Sequence, residues 1–382
     1  MLTRRLAVAA FCFVPALSLA DKPFVPGTGD HIYQAFDDFE DANWSYRLNL
    51  PKSSYEQDEN QRAPGAVSAN KLWHEGAKRG TPDVVKRVAT PPGGIPGSEG
   101  ALLFQSKDTG IPGRITNQQQ QDDLLMKVDR MIGRSIPVTW QPSCTVRVYL
   151  PPFEQWEQRS GASFGMRADC RGRIPEGETA AYWPGMFILF QKGNAQNGGA
   201  DHAQITVRSN GNGQDMRSTK ITEPGWWTLG MSFTPDGQIH YYGHAGVEDL
   251  TEEDFLASSF PYNYRCLAFD NFFFNVANWD NGKSWSTPWV IDDPKVFVIP
   301  PAGQSIASLP RKKGQRVETF PITHIHDADK PKSKNPFNFL FGGSRNAGGW
   351  TAIRGVTQLT PVGNRVTPPG FNAMRDQACS MA

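Results

Sequence analysis

The sequence predicts an all-β protein: an antiparallel two-sheet jelly-roll sandwich with few short helices and an irregular C-terminal extension. Three observations carry this. Between residues 144 and 300, short segments rich in aromatic and β-branched residues follow one another, separated by turn residues. The 37 Gly and 30 Pro residues of the 382-residue chain supply turns without reaching the fraction found in disordered sequences. The 23 Phe and 11 Trp residues supply a large core.

At the start of the chain, Arg4 and Arg5 precede the apolar run "LAVAAFCFVPALSL", and Ser18-Leu19-Ala20 fits a small-x-small cleavage site. The run falls short of the ~20 residues that span a bilayer. Residues 1–20 therefore read as a signal peptide cleaved near Ala20, and no membrane span is expected. The mature chain is expected to be secreted, periplasmic or at the cell surface. Removal of Cys12 leaves Cys144, Cys170, Cys266 and Cys379, an even number in an oxidising compartment.

Residues 21–110, with stretches such as "TPPGGIPGSEG", read as long loops around a few strands. In "NQQQQDDLLMKVDRMIG" (117–133), Leu124, Val128 and Met131 stand at helical spacing and predict a short helix. In "DLTEEDFLA", Thr251 and Asp254 resemble a helix-capping pair. The strand series then runs "CTVRVYL", "SFGMRADC", "GMFILFQ", "HAQITVRS", "WTLGMSF", "QIHYYGH", "FDNFFFNV" and "WVIDDPKVFVI", and ends near Pro300-Pro301.

Two registers follow. Pro235-Asp236-Gly237 suits a three-residue hairpin loop with Gly237 in the left-handed position. This pairs Phe233 with Ile239, Met231 with Tyr241 and Leu229 with Gly243 on one face. Ser232 with His240, Gly230 with Tyr242 and Thr228 with His244 fall on the other. If "CTVRVYL" and "SFGMRADC" are adjacent antiparallel strands, a Cys144–Cys170 bridge lies on the core side and Arg147 faces Arg167 on the opposite side. Four cysteines allow three pairings, and under this one Cys266–Cys379 ties the tail to the sandwich.

The polar faces of these strands are unusual. One carries His240, Tyr242 and His244, another His202, Gln204, Thr206 and Arg208, and Lys and Glu are avoided. An outer sheet face in water explains any one strand; together their residue types suit binding or proton transfer.

Residues 301–382 form a basic extension, 11 Lys and Arg against 4 Asp and Glu, beside an acidic body at 21–300 with 26 against 34. Docking of the tail on the body is expected, since it contains "NPFNFLFGG" and Trp350. "HIHDAD" (324–329) has metal-site spacing but reads as solvated loop. "PRKKGQR" is too short and isolated to indicate nucleic acid. There is no phosphate-binding Gly-rich loop and no Gly-x-Ser-x-Gly elbow.

With "FDDFEDANWSY", the strand series and "STPWVIDDPKVFV", residues 33–300 resemble the concanavalin A-like lectin/glucanase (jelly-roll) superfamily. The resemblance implies two curved sheets, a glycan on the concave sheet, neighbouring first and last strands, and a structural calcium where these meet. Asp38, Glu40, Asp292 and Asp293 are the hard oxygen donors such an ion takes. The Glu-x-Asp-x-x-Glu of the glucanases is missing; "EQDENQ" ends in Gln61.

The sequence is also similar to jelly-roll polysaccharide lyases. "HAQITVRSN" is similar to the Gln-Ile-His strand of alginate lyases, with Thr206 where the second His would stand. This similarity implies that Arg147, Arg167 and Gln204, with Arg208 on the same face, bind a uronate carboxylate. Tyr242 would be the acid or base, assisted by His202, His240 or His244. Trp183, Trp226 or Trp279 would stack on sugar rings. The expected function is that of an exported carbohydrate-active protein acting on an anionic polysaccharide, as a β-eliminating lyase. The alternatives are a non-catalytic glycan-binding module, or a glycoside hydrolase whose carboxylates the sequence does not reveal.

Overall fold

A computed structural model describes residues 21–194 and 199–306. Thirteen strands of five or more residues dominate them. In chain order these are β1 (Val84–Ala89), β2 (Gly100–Gln105), β3 (Gln119–Met126), β4 (Ser143–Leu150), β5 (Gly161–Arg173), β6 (Gly185–Gln191) and β7 (His202–Arg208). They continue as β8 (Asp215–Ile221), β9 (Gly225–Phe233), β10 (Ile239–Ala245), β11 (Phe255–Ser259), β12 (Arg265–Trp279) and β13 (Trp289–Val298).

These strands form two sheets in which every pairing is antiparallel. Sheet 1 runs β11-β10-β9-β4-β13-β2-β1, and sheet 2 runs β8-β7-β6-β5-β12-β3 before ending in short edge strands from residues 46–75. The jelly-roll sandwich expected from the strand series is thus the observed fold. The short Asp30–His31 strand pairs with Phe297 and Val298 of β13, so the two ends of the sandwich meet as the resemblance implied.

Alternation of side chains sorts each strand into an inner and an outer set. Phe164 and Phe274 of sheet 2 meet Phe104 and Trp289 of sheet 1 with ring centroids 4.8–6.2 Å apart. Full burial of side chains this size contributes about 1.5–3 kcal/mol each, so this aromatic layer is what clamps the sheets together.

The hairpin register holds residue for residue: Ser232 faces His240, Gly230 faces Tyr242 and Thr228 faces His244. Gly237 takes φ +83° in a loop closed by Thr234 and Gln238. Thr251 and Asp254 form the capping box of a single 3₁₀ turn.

Two expectations fail. Residues 119–126 form β3, and only Val128–Ile132 is helical. Leu124 and Met126 enter the core at strand spacing, because the whole run from Gln119 to Met126 is held in the ladder with β12. Nor are "CTVRVYL" and "SFGMRADC" neighbours. They are β4 and β5, in different sheets, so Cys144 and Cys170 are both buried but unbridged, and Cys266 is also a free thiol. The tail beyond residue 306, with Cys379, its expected docking and "HIHDAD", lies outside the described residues.

Candidate functional site

Because β4 and β5 belong to different sheets, Arg147 and Arg167 point away from each other, one on each outer face of the sandwich. The residues expected to converge on one groove are therefore divided into two groups.

The outer face of sheet 1 holds Arg147, Trp226, His240, Tyr242 and His244, and internal partners occupy it. The segment following residue 20 lies across it: Ser232 Oγ donates to the Phe24 carbonyl at 2.6 Å, and Gly27 N–H donates to Ser143 Oγ at 3.2 Å. Beneath this strap His240 is fully buried between Thr234 Oγ1 (2.9 Å) and Ser258 Oγ (2.6 Å). Burial lowers its pKa to about 4, so the ring is neutral. Tyr242 is buried edge-on to Phe255, and burial raises its phenol pKa. His244 Nδ1 lies 3.0 Å from Asp254.

Arg147 is spent on the Val247 carbonyl (3.0 Å), Asp249 (2.5 Å) and Asp293 (3.2 Å). Trp226 packs on Tyr149 and donates to the Pro91 carbonyl. Tyr242, His240, His244, Arg147 and Trp226 thus lie together on this face, on the opposite side of the sandwich from Arg167.

The expected calcium ligands have protein partners, and Asp293 and Glu40 both act on Asp292. Asp293 takes Arg147 and Lys295 (2.6 Å), while Asp38 accepts from the Glu40 backbone N–H. Glu40 itself accepts backbone N–H groups of Glu99 and Gly100. Asp292 accepts from Ser98 Oγ at 2.8 Å, and burial raises its pKa to about 7. Among the described residues, no three His, Cys, Asp or Glu side chains share a place for one metal ion.

The outer face of sheet 2 is different. Arg167 of β5 lies opposite Gly185 of β6 and Phe273 of β12. Its neighbour across the Gly185 gap is Arg208, since Met186 pairs with Val207. The guanidinium of Arg167 sits 5.7 Å from the Phe187 ring and 5.4 Å from the Phe273 ring, and that of Arg208 4.7 Å from Phe187. Arg208 has its own carboxylate, Asp215, at 2.8 Å, and donates to Tyr262 Oη at 3.1 Å.

Arg167 has no such anion. It is 3 % exposed, and its one hydrogen bond among the described residues runs from Nη2 to the Trp183 carbonyl at 2.9 Å. Nε and Nη1 are buried without a hydrogen-bond partner. Burial and the adjacent Arg208 lower its pKa to about 10.

The chain leaving the edge strand Trp73–Glu75 brings a further set over this face. Lys78 Nζ lies 4.1 Å from the Trp183 ring and 3.5 Å from Glu56. Arg79 bridges Glu56 (3.1 Å) and Asp123 (3.7 Å). Glu56 is placed by one helical turn, Tyr55–Asp58, whose N-cap Ser54 accepts from Gln57 N–H. Asp123 also accepts from Asn275 Nδ2 at 2.5 Å. Burial lowers the pKa of Lys78 to about 8, with Glu56 opposing and Arg79 and Arg167 reinforcing. Four cations therefore share this place with three carboxylates, all three of which face Lys78, Arg79 or Arg208.

His202 and Gln204 lie on the same outer face, half-buried, towards the far end of β7. His202 is six positions from Arg208, about 20 Å at ~3.3 Å per residue. Of the sequence-derived candidates, Arg167, Arg208 and Trp183 come together. Glu56, Lys78, Arg79 and Asp123 were missed. Asp123 had a legible signal in the alternation of "QDDLLM", which the helical reading obscured; "EGAKRG" offered none beyond two adjacent cations.

No family model matches the chain, and no curated protein matches it in sequence. Solved structures resemble part of it at low identity. A carbohydrate esterase from the Shiga toxin-encoding bacteriophage phi24B is 9 % identical, covering 60 % of this chain and 91 % of its own, with a TM-score of 0.36. An alginate lyase from Pseudomonas aeruginosa is 11 % identical over 57 % of this chain and 86 % of its own, with a TM-score of 0.33. An endo-β-1,4-glucuronan lyase from the fungus Trichoderma reesei is 11 % identical over 56 % and 86 %, with a TM-score of 0.28. The chemistry rests on this chain's own residues.

Proposed function

We propose that the outer face of sheet 2 receives an anionic polysaccharide and cleaves it by β-elimination, with Arg167 pairing the uronate carboxylate. One observation carries the reading: Arg167 is a buried guanidinium with two unpartnered N–H groups and no carboxylate within 4.0 Å among the described residues. A charge kept in that state costs stability unless an anion completes it. A planar carboxylate suits the guanidinium fork.

In the proposed reaction Arg167 stabilises the charge that spreads into the carboxylate when the C5 proton leaves. Lys78 carries the proton. As the amine it takes the proton from C5; the C5 electrons form the C4–C5 double bond and the C4–O bond breaks. As the ammonium, Lys78 returns the proton to the leaving oxygen. A pKa near 8 suits both halves of that cycle. Trp183 offers its ring beside Lys78 as a sugar platform. Such a substrate lies outside the cell, in keeping with the leader read in residues 1–20.

The test is incubation of the full mature chain with alginate, pectate and polyglucuronate while following the ultraviolet absorbance of the unsaturated uronate. Release that vanishes in Lys78→Ala and Arg167→Met supports the lyase. Binding without release, lost only in Arg167→Met, leaves a glycan-binding module. No binding to any of the three overturns the proposal.

A further inference from the structure

A second feature lies at the far end of β12. Trp279 and Trp285 are 39 and 43 % exposed, whereas most described tryptophans are buried. Large exposed aromatic surfaces on a folded domain mark places of contact. Beside Trp279 opens a surface cavity of about 400 Å³, walled by Glu157, Gln158, Arg159, Asn281 and Ser284. That volume is within the range of small-ligand sites.

The walls are set in advance. Glu157 accepts the Trp279 backbone N–H at 2.7 Å and is paired with Arg159 at 3.0 Å. Arg159 also donates to Gln119 at 2.8 Å, and Asn281 donates to Ser284 Oγ at 2.9 Å. The Nε of Arg159 is buried without a hydrogen-bond partner. An indole face beside amide, hydroxyl and guanidinium groups is complementary to a pyranose ring, which offers C–H groups on its faces and hydroxyls around its edge. Glu157 and Arg159 cancel in charge, so the cavity selects the ring and not its carboxylate.

We propose that this cavity is a second pyranose subsite, gripping the same polysaccharide remote from Arg167; the identity of that polymer rests on the function proposed above. Phe273 faces Arg167 across the sheet, and six residues carry β12 from there to Trp279. The two points are therefore about 20 Å apart at ~3.3 Å per residue. A long chain spans both; a disaccharide reaches only one. Linked binding then raises affinity for long chains without changing that for short ones.

The experiment is calorimetric titration of the full mature chain with disaccharide and long-chain fractions of alginate, pectate and polyglucuronate. The variants are Trp279→Ala, Trp285→Ala, Trp279→Phe and Arg167→Met, with melting temperature as the folding control. Expected is a loss of about tenfold or more for long chains in Trp279→Ala. Trp279→Phe retains part of that affinity, and disaccharide binding at Arg167 is unchanged. Long-chain affinity untouched by both Trp→Ala variants, with binding still lost in Arg167→Met, overturns the subsite and leaves the main proposal standing. Affinity lost in Trp279→Ala but kept in Arg167→Met supports the cavity and sinks the role of Arg167. Wild-type protein that binds none of the polymers overturns both.

Discussion

Arg167 and Arg208 stand in one transverse row of sheet 2 with only Gly185 between them, and both guanidiniums lie against the ring of Phe187. Two cations about two strand spacings apart, ~10 Å, repel. Asp215 pairs with Arg208 at 2.8 Å, whereas Asp215 and Asp123 act on Arg167 only from beyond 4.0 Å. The arrangement leaves one guanidinium committed and the other available.

Gly185 is the residue that permits it. A Cβ there would fall 2.6 Å from Arg167 Cγ and 2.7 Å from the Met166 carbonyl oxygen. Gly185→Ala should cost about 1–3 kcal/mol of stability, measured by urea unfolding, and displace Arg167 enough to weaken polyuronate binding. Unchanged stability and binding would show that the stem of Arg167 is not confined as described.

Replacing Arg167 itself should separate stability from function. Methionine fills similar volume without the unpaired buried charge, so Arg167→Met should leave the melting temperature equal or higher. Binding of acidic polysaccharide should fall at least about tenfold, the lower range of a charge-assisted pair. A large loss of stability would mean that Arg167 is structural.

The pH dependence of cleavage should follow Lys78. Burial holds its pKa near 8, below the ordinary lysine value. The amine form therefore grows as pH rises through 8, and the rate should climb across that limb and then level. Lys78→Arg removes the titrating base, and cleavage should vanish at all pH values while binding persists. A limb centred near 6.5 in the pH–rate profile would point to a histidine instead.

His240 should govern stability and not activity. Its folded pKa near 4 lies below the ordinary value of 6.5, so between these pH values the unfolded chain binds more protons. Its contribution to stability is present above about pH 6.5 and is lost as pH falls towards 4. His240→Gln should flatten that part of the stability–pH curve. Tyr242→Phe, on the same covered face, should leave polysaccharide cleavage unchanged. Loss of activity in Tyr242→Phe would return the site to sheet 1.

Local rules made much of the fold legible. Alternation in "WTLGMSFTPDGQIHYYGH", with Gly237 free to take positive φ, determined a hairpin register that the structure repeats pair for pair. Inner and outer faces of the later strands could be assigned the same way, because side-chain direction is a property of the strand alone. The misreading of residues 119–126 shows the limit of periodicity: Leu124, Val128 and Met131 fit a helical spacing, yet pairing with Phe272–Trp279 outweighed it.

Which outer faces coincide is not a local property. Arg147 and Arg167 are only twenty residues apart and equally outward, and sheet assignment alone sends them to opposite sides of the molecule. Likewise Lys78 and Arg79 come from an irregular segment whose position beside Trp183 depends on Glu56 and Asp123, contacts made across long sequence separations. The sequence by itself determined the strands, their amphipathic faces and the sandwich. Only the tertiary structure decided which polar residues meet, because long-range strand pairing, and not side-chain direction, sets who faces whom.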